Sequence, residues 1–99
     1  MQVSWDLTAR AFFDQLSIRD KTAVERAVVR LVENWEQLEA THLHRLAGLA
    51  SKDGCPLQVL RVGRDLRVLL YRKNERITII DVLRHSQIER LRTSPGFLR

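Results

Sequence analysis

A single cysteine, Cys55, is all the chain contains. It has no partner for an internal disulfide and no second thiolate at metal-ligand spacing. Neither a disulfide scaffold nor a cysteine zinc site is available, and a reducing compartment, the cytoplasm, is expected. With two prolines and four glycines in 99 residues there is no flexible or polyproline linker, and no repeat or low-complexity tract. Residues 1–99 therefore read as one domain around a small core. No stretch approaches the ~20 apolar residues of a membrane span. The opening MQVSWDLTAR lacks the basic and apolar regions of an export signal, so no membrane association is expected.

Acidic residues are scarce in one part of the chain only. Residues 1–40 hold five Lys/Arg against seven Asp/Glu, net −2, whereas residues 60–99 hold ten against four, net +6. Nine of those ten cations are arginine, whose planar fork matches phosphate and carboxylate. A polyanionic or carboxylate-rich partner follows from that concentration.

The apolar periods predict an α+β fold, an N-terminal helical hairpin packed on a small antiparallel sheet. QVSW suits a short edge strand. Asp6 or Thr8 caps a helix to about Leu16, with Leu7, Ala11, Phe12 and Leu16 as its apolar positions. Asp20 caps a second helix in which Val24, Ala27, Val28, Leu31, Val32 and Trp35 form one stripe. From Glu36 to Cys55 no period is sustained, and the segment reads as a connection. PLQVLRV, LRVLLYR and ITIIDVLR then form a three-stranded meander, joined by GRD and KNER turns. HSQIERL reads as one or two helical turns, and TSPGFLR as a loose tail.

Strand side chains alternate between faces, so register decides which arginines meet. If the GRD turn sets Val62 opposite Leu66, Arg61 lies opposite Arg67. If KNER sets Arg72 opposite Ile77, Arg67 lies opposite Val82 and Arg84 joins the same face. The expectation is three converging guanidiniums beside Val59, Leu69, Ile80 and Val82. Leu60, Leu66, Val68, Leu70, Ile77 and Ile79 then face the helices. Asp81 is a candidate internal partner for one arginine.

In order, a helical hairpin, HLHRLAGL, LQVLRVGRDLRVLLYR and ITIIDVLRHSQIERL resemble the RelE/ParE superfamily of bacterial toxins from type II toxin–antitoxin systems, over about Trp5 to Leu91. The resemblance implies a toxin neutralised by a cognate antitoxin, with a possible hetero-oligomer between them. RelE-like members cleave mRNA on the ribosome; ParE-like members bind DNA gyrase. In the first group Arg67 matches the arginine after the turn, Arg84 the arginine ending the last strand, and Arg61 a basic residue before the turn. His85 stands where some relatives carry a histidine. The sequence departs from the pattern in a longer turn, in Ile88 and Arg90 where many relatives have a tyrosine, and in Gln58 and Leu60 where RelE-like lysines stand.

RNA cleavage by 2′-hydroxyl attack needs two proton transfers and stabilisation of a growing negative charge. Arg61, Arg67 and Arg84 are the candidate phosphate clamp, and His85, with an unperturbed pKa near ~6.5, the candidate proton carrier. Arg64, Tyr71, Arg72 and Lys73 are candidate RNA contacts, Tyr71 by stacking a base. His42 and His44 would need a third ligand such as Cys55 or His85 to hold a metal, and neither metal nor cofactor is expected. VGRDLR lacks P-loop spacing, and no serine or cysteine has a triad around it. A ribosome-dependent endoribonuclease is favoured; the alternatives are a non-enzymatic gyrase-binding toxin or a catalytically weakened RelE homologue.

Overall fold

The Ser17 hydroxyl accepts a hydrogen bond from the Asp20 amide at 3.1 Å and so satisfies one of the unpaired donors at the start of a helix. That helix, α2, spans Ile18–Glu33 in the computed structural model, which describes residues 1–88. It begins two residues before the expected Asp20 cap, and Asp20 instead lies in the first turn, where its charge suits the helix dipole. Val24, Val28 and Leu31 are buried, with Ala27 and Val32 packed beside them, so the apolar stripe points into the core. Trp35 is not part of α2. Asn34, at φ −137° and ψ 48°, ends the helix, and Trp35 opens a separate α3, Trp35–Thr41.

Before α2 come β1, Gln2–Trp5, and α1, Leu7–Asp14. The face of α1 differs from the expected one. Ala9 and Phe13 are buried, Leu16 is buried just beyond the helix, and Leu7 is 89% exposed. In a helix of eight residues local periodicity is weak, and tertiary contact sets the rotation, here Phe13 against Trp5 with ring centres 5.2 Å apart.

After α3 the sheet continues with β2, Leu43–Ala50, then β3, Pro56–Val62, β4, Leu66–Lys73, and β5, Arg76–Arg84. The strands lie in the order β1-β5-β4-β3-β2, with β1 parallel to β5 and every other pair antiparallel. The segment read as a connection therefore holds both α3 and an edge strand. Its burial recurs at Leu43, Leu46 and Leu49, every third residue, because the β2–β3 register shifts between Arg45 and Ala50. An irregularity of that kind erases the period-two signature of a strand.

One face of the sheet carries Leu60, Val62, Leu66, Val68, Leu70, Ile77, Ile79 and Val82 against the helices. The other gathers Leu57, Val59, Leu69 and Leu83 with Leu46 and Ile88. Val82 was expected on this second face. Leu69 pairs with Asp81 but Leu70 pairs with Ile79, so Ile80 is an extra residue in β5, and everything beyond it is turned to the opposite face. Residues 85–88 begin a further helical turn; the rest of HSQIERL and the expected loose tail lie outside the described residues. Among those residues no helix is long and apolar enough to cross a membrane.

The core makes a direct prediction. Leu31→Ala or Leu70→Ala, each at a fully buried position, is expected to lower unfolding free energy by about 2–5 kcal/mol in urea denaturation. Leu7→Ala, at the exposed position, is expected to change it by no more than about 0.5 kcal/mol.

Candidate functional site

The β3–β4 connection is the tight turn Gly63-Arg64-Asp65, closed by Val62 opposite Leu66. Gly63 adopts φ 63°, a left-handed conformation that favours glycine. The turn sets Arg61 opposite Arg67, the pairing the sequence implies. Two like charges facing across strands repel unless their heads part. Here they do. Arg61 stays exposed and donates from Nε to Gly63 O at 3.2 Å. Arg67 folds inward to 9% exposure, with Nη1 donating to Leu66 O at 2.8 Å and Nη2 to Arg64 O at 3.3 Å. Main-chain carbonyls thus meet a guanidinium whose burial would otherwise be costly.

The same Nη2 lies 3.2 Å from His85 Nδ1. His85 is exposed, and its amide donates to Asp65 O at 2.6 Å, which fastens the end of β5 to the turn. Gln87 Oε1 accepts from the Arg84 amide at 2.7 Å, the reach-back half of a capping box for the helical turn that His85 opens. Arg61, Arg64, Arg67 and His85 are therefore gathered at one end of the sheet.

Arg84 is not with them. The extra residue at Ile80 pairs Arg84 with Leu66 and Arg67 with Leu83, where Val82 was expected. Arg84 consequently points to the helix face, its Nη1 3.0 Å from Asp65 Oδ2 and 4.0 Å from Asp20 Oδ2. The expected convergence of three guanidiniums does not form. Asp20 and Asp65, which hold Arg84, carried no sequence signal as its partners, because the contact needs both the bulge and the approach of α2.

The remaining candidates lie elsewhere. Arg72 is on the helix face, its guanidinium carbon 5.1 Å from the Trp35 ring centre and its Nη2 3.3 Å from Glu75 Oε1. Tyr71 and Lys73 share the Arg67 face but stand at its other end, along a concavity of about 730 Å³ that Asp53, Arg76 and Thr78 also line. Lys73 Nζ there sits 3.6 Å from Asp53 Oδ2. His42 Nδ1 is 2.6 Å from Thr41 Oγ1. Among the described residues no group of three or more His, Cys, Asp or Glu is arranged to hold a metal ion.

Asp81 does not pair with an arginine among the described residues; its Oδ1 accepts from the Val82 amide at 2.9 Å. Burial pushes its pKa above the ordinary 3.8, against the opposing effect of that hydrogen bond.

No protein-family model matches the sequence, and no curated protein is similar to it in sequence. Solved structures are similar in fold. A copper-bound L66S mutant toxin from Helicobacter pylori superposes with a TM-score of 0.66 at 16% identity, covering 89% of this chain and 98% of that one. RelE in the RelB–RelE antitoxin–toxin complex from Methanococcus jannaschii gives 0.64 at 12% identity, covering 89% and 96%. The RelE–RelB complex from Pyrococcus horikoshii OT3 gives 0.61 at 17% identity, covering 87% and 96%. The chain has the RelE/ParE-like fold.

A carboxyl whose folded pKa stands above its unfolded one binds protons more readily when folded, so its contribution worsens as pH rises from the unfolded value through the folded one. Asp81→Asn keeps an acceptor for the Val82 amide and removes the charge. It is expected to raise the melting temperature at pH 7, with the gain shrinking as pH falls toward 3.8. Thermal melts over that range check it; an equal difference at both ends contradicts it.

Proposed function

We propose that residues 1–99 are the toxin of a type II toxin–antitoxin pair, a cytoplasmic metal-independent endoribonuclease that cleaves mRNA on the ribosome. The observation that carries this reading is the corner made by the β3–β4 turn and the end of β5. It gathers the exposed residues Arg61, Arg64 and His85 at one end of the sheet. Two planar forks on a tight turn suit the oxygens of adjacent phosphates, and a donor-rich corner suits the charge that grows when a 2′-hydroxyl attacks phosphorus. The fold shared with RelE proteins crystallised with RelB supports the class, and by that analogy an acidic antitoxin segment would cover this chain in a hetero-oligomer.

In this reading Arg84 holds the turn through Asp65 and leaves the phosphate to Arg61 and Arg64. The gyrase-binding alternative takes its support from the same fact, since the corner offers fewer exposed cations than a three-arginine clamp.

Induced expression with mapping of transcript 5′ ends, alongside a plasmid supercoiling gel, separates the two. Cuts at fixed codon positions are expected; altered supercoiling without cuts selects gyrase. Arg61→Ala combined with Arg64→Ala is expected to weaken RNA binding about 10- to 100-fold, the loss of one or two charge-assisted hydrogen bonds. Arg84→Ala in the same binding assay is expected to change it less than about threefold.

A further inference from the structure

Gln58 is a polar side chain where its strand neighbours are apolar. It is only 5% exposed, on the helix side of the sheet beside the buried Leu60 and Leu70, and its Nε2 donates to Glu39 Oε2 of α3 at 3.2 Å. A carboxylate only accepts, so the amide end of Gln58 holds Glu39 in place. The other oxygen, Glu39 Oε1, accepts no bond among the described residues. Arg45 is opposite Gln58 in the sheet, so the two side chains leave it on the same face. Arg45 is exposed and makes no ion pair among the described residues. Glu39, Gln58 and Arg45 line a concavity of about 350 Å³ together with Trp35 and Arg72. The donors of Arg72 are engaged, Nε with Asn74 O at 2.7 Å and Nη2 with Glu75 Oε1 at 3.3 Å, while its guanidinium lies over the Trp35 ring. Arg72 therefore supplies a fixed flat surface, and Arg45 a fork that is still available.

We infer that this concavity binds the guanine base of a nucleotide, with Glu39 and Arg45 reading two edges of the base and Arg72 stacking on its face. Guanine has two adjacent donors, N1–H and the N2 amino group, which match the two oxygens of a carboxylate. It also has two adjacent acceptors, O6 and N7, which match a guanidinium fork. Adenine, cytosine and uracil each place an acceptor beside every donor, so a carboxylate meets them with one bond and one repulsion. Bases stack on guanidinium planes as they do on aromatic rings. The volume lies at the lower end of small-molecule sites, about 300–1,000 Å³, and suits one base better than a helix or strand of a partner. Recognition of this kind involves no cleavage, and it is independent of the corner at the other end of the sheet.

Amide NMR titration of the full chain with guanosine, inosine and adenosine 5′-monophosphates tests the site. The guanosine nucleotide is expected to shift residues 35–45, Gln58 and Arg72. Inosine lacks the N2 amino group, so its nucleotide is expected to bind about 10-fold more weakly, the loss of one charge-assisted hydrogen bond, and the adenosine nucleotide more weakly still. Equal affinity for all three, or no shift at these residues with guanosine, overturns the inference. Glu39→Gln sets a donor beside an acceptor, the pattern that matches adenine, and is expected to lower the guanosine-to-adenosine affinity ratio by about 10-fold or more. Arg45→Met is expected to weaken guanosine binding by about 10-fold. Both positions are exposed, and the amide spectrum reports whether each variant is folded. An unchanged ratio in folded Glu39→Gln overturns the reading of the base by Glu39. RNA pentamers with a single guanine or a single adenine among uracils separate the two sources of the base. Shifts common to both pentamers report the corner, and shifts at residues 35–45 with the guanine pentamer alone support the site. Tighter binding of that pentamer than of the mononucleotide assigns a base within RNA, and the reverse a free nucleotide. The same shifts from a capped Arg-Asp dipeptide, with none from the guanosine nucleotide, would assign the concavity to a protein partner and overturn the inference.

Discussion

The extra residue at Ile80 decides which charges this sheet brings together. Up to Ile79 the β4–β5 pairing follows from the turn; beyond Ile80 each side chain of β5 changes face. Val82 joins the helix-side core, Leu83 joins the other cluster, and Arg84 is delivered to Asp20 and Asp65. Without the bulge Arg84 would stand beside Arg61 and Arg67, and three cations would crowd one end of one face. The bulge leaves Arg61, Arg64 and His85 at the corner and gives Arg84 to the ion pairs behind it. Bulges recur next to active sites because they re-aim side chains in this way.

Arg67 shows how the remaining like-charge pair is tolerated. Its partner Arg61 stays in water, where repulsion is screened, and Arg67 turns onto carbonyl oxygens that the turn leaves available. The same geometry lets Arg67 reach His85, whose place is fixed by its main-chain bond to Asp65 and by the cap that Gln87 provides at the next helical turn. The geometry of the corner thus depends on main-chain hydrogen bonds of the turn as much as on the arginines.

Much of this was legible in the residues. The turns between β3, β4 and β5 fix their register by length, so Arg61 opposite Arg67 and Arg72 opposite Ile77 follow from counting. The α2 stripe is long enough for its period to be unambiguous. The bulge was not legible, because Ile79, Ile80 and Val82 suit either face and nothing in ITIID marks the extra residue. For β2 the three-residue spacing of Leu43, Leu46 and Leu49 hid a strand, and for α1 eight residues gave too little period to orient the helix. The Arg67–His85 contact lay beyond sequence reasoning, since it needs the end of β5 to meet the turn of β3 and β4.

The proposed function places RNA at the turn corner. Titration of the isotope-labelled chain with a short single-stranded RNA, followed by amide NMR, tests that placement most directly. The largest shifts are expected at residues 61–67 and at His85, with Arg84 changing less. Shifts concentrated at the β4–β5 turn or on the outer face of α2, or no shifts at all, would contradict it.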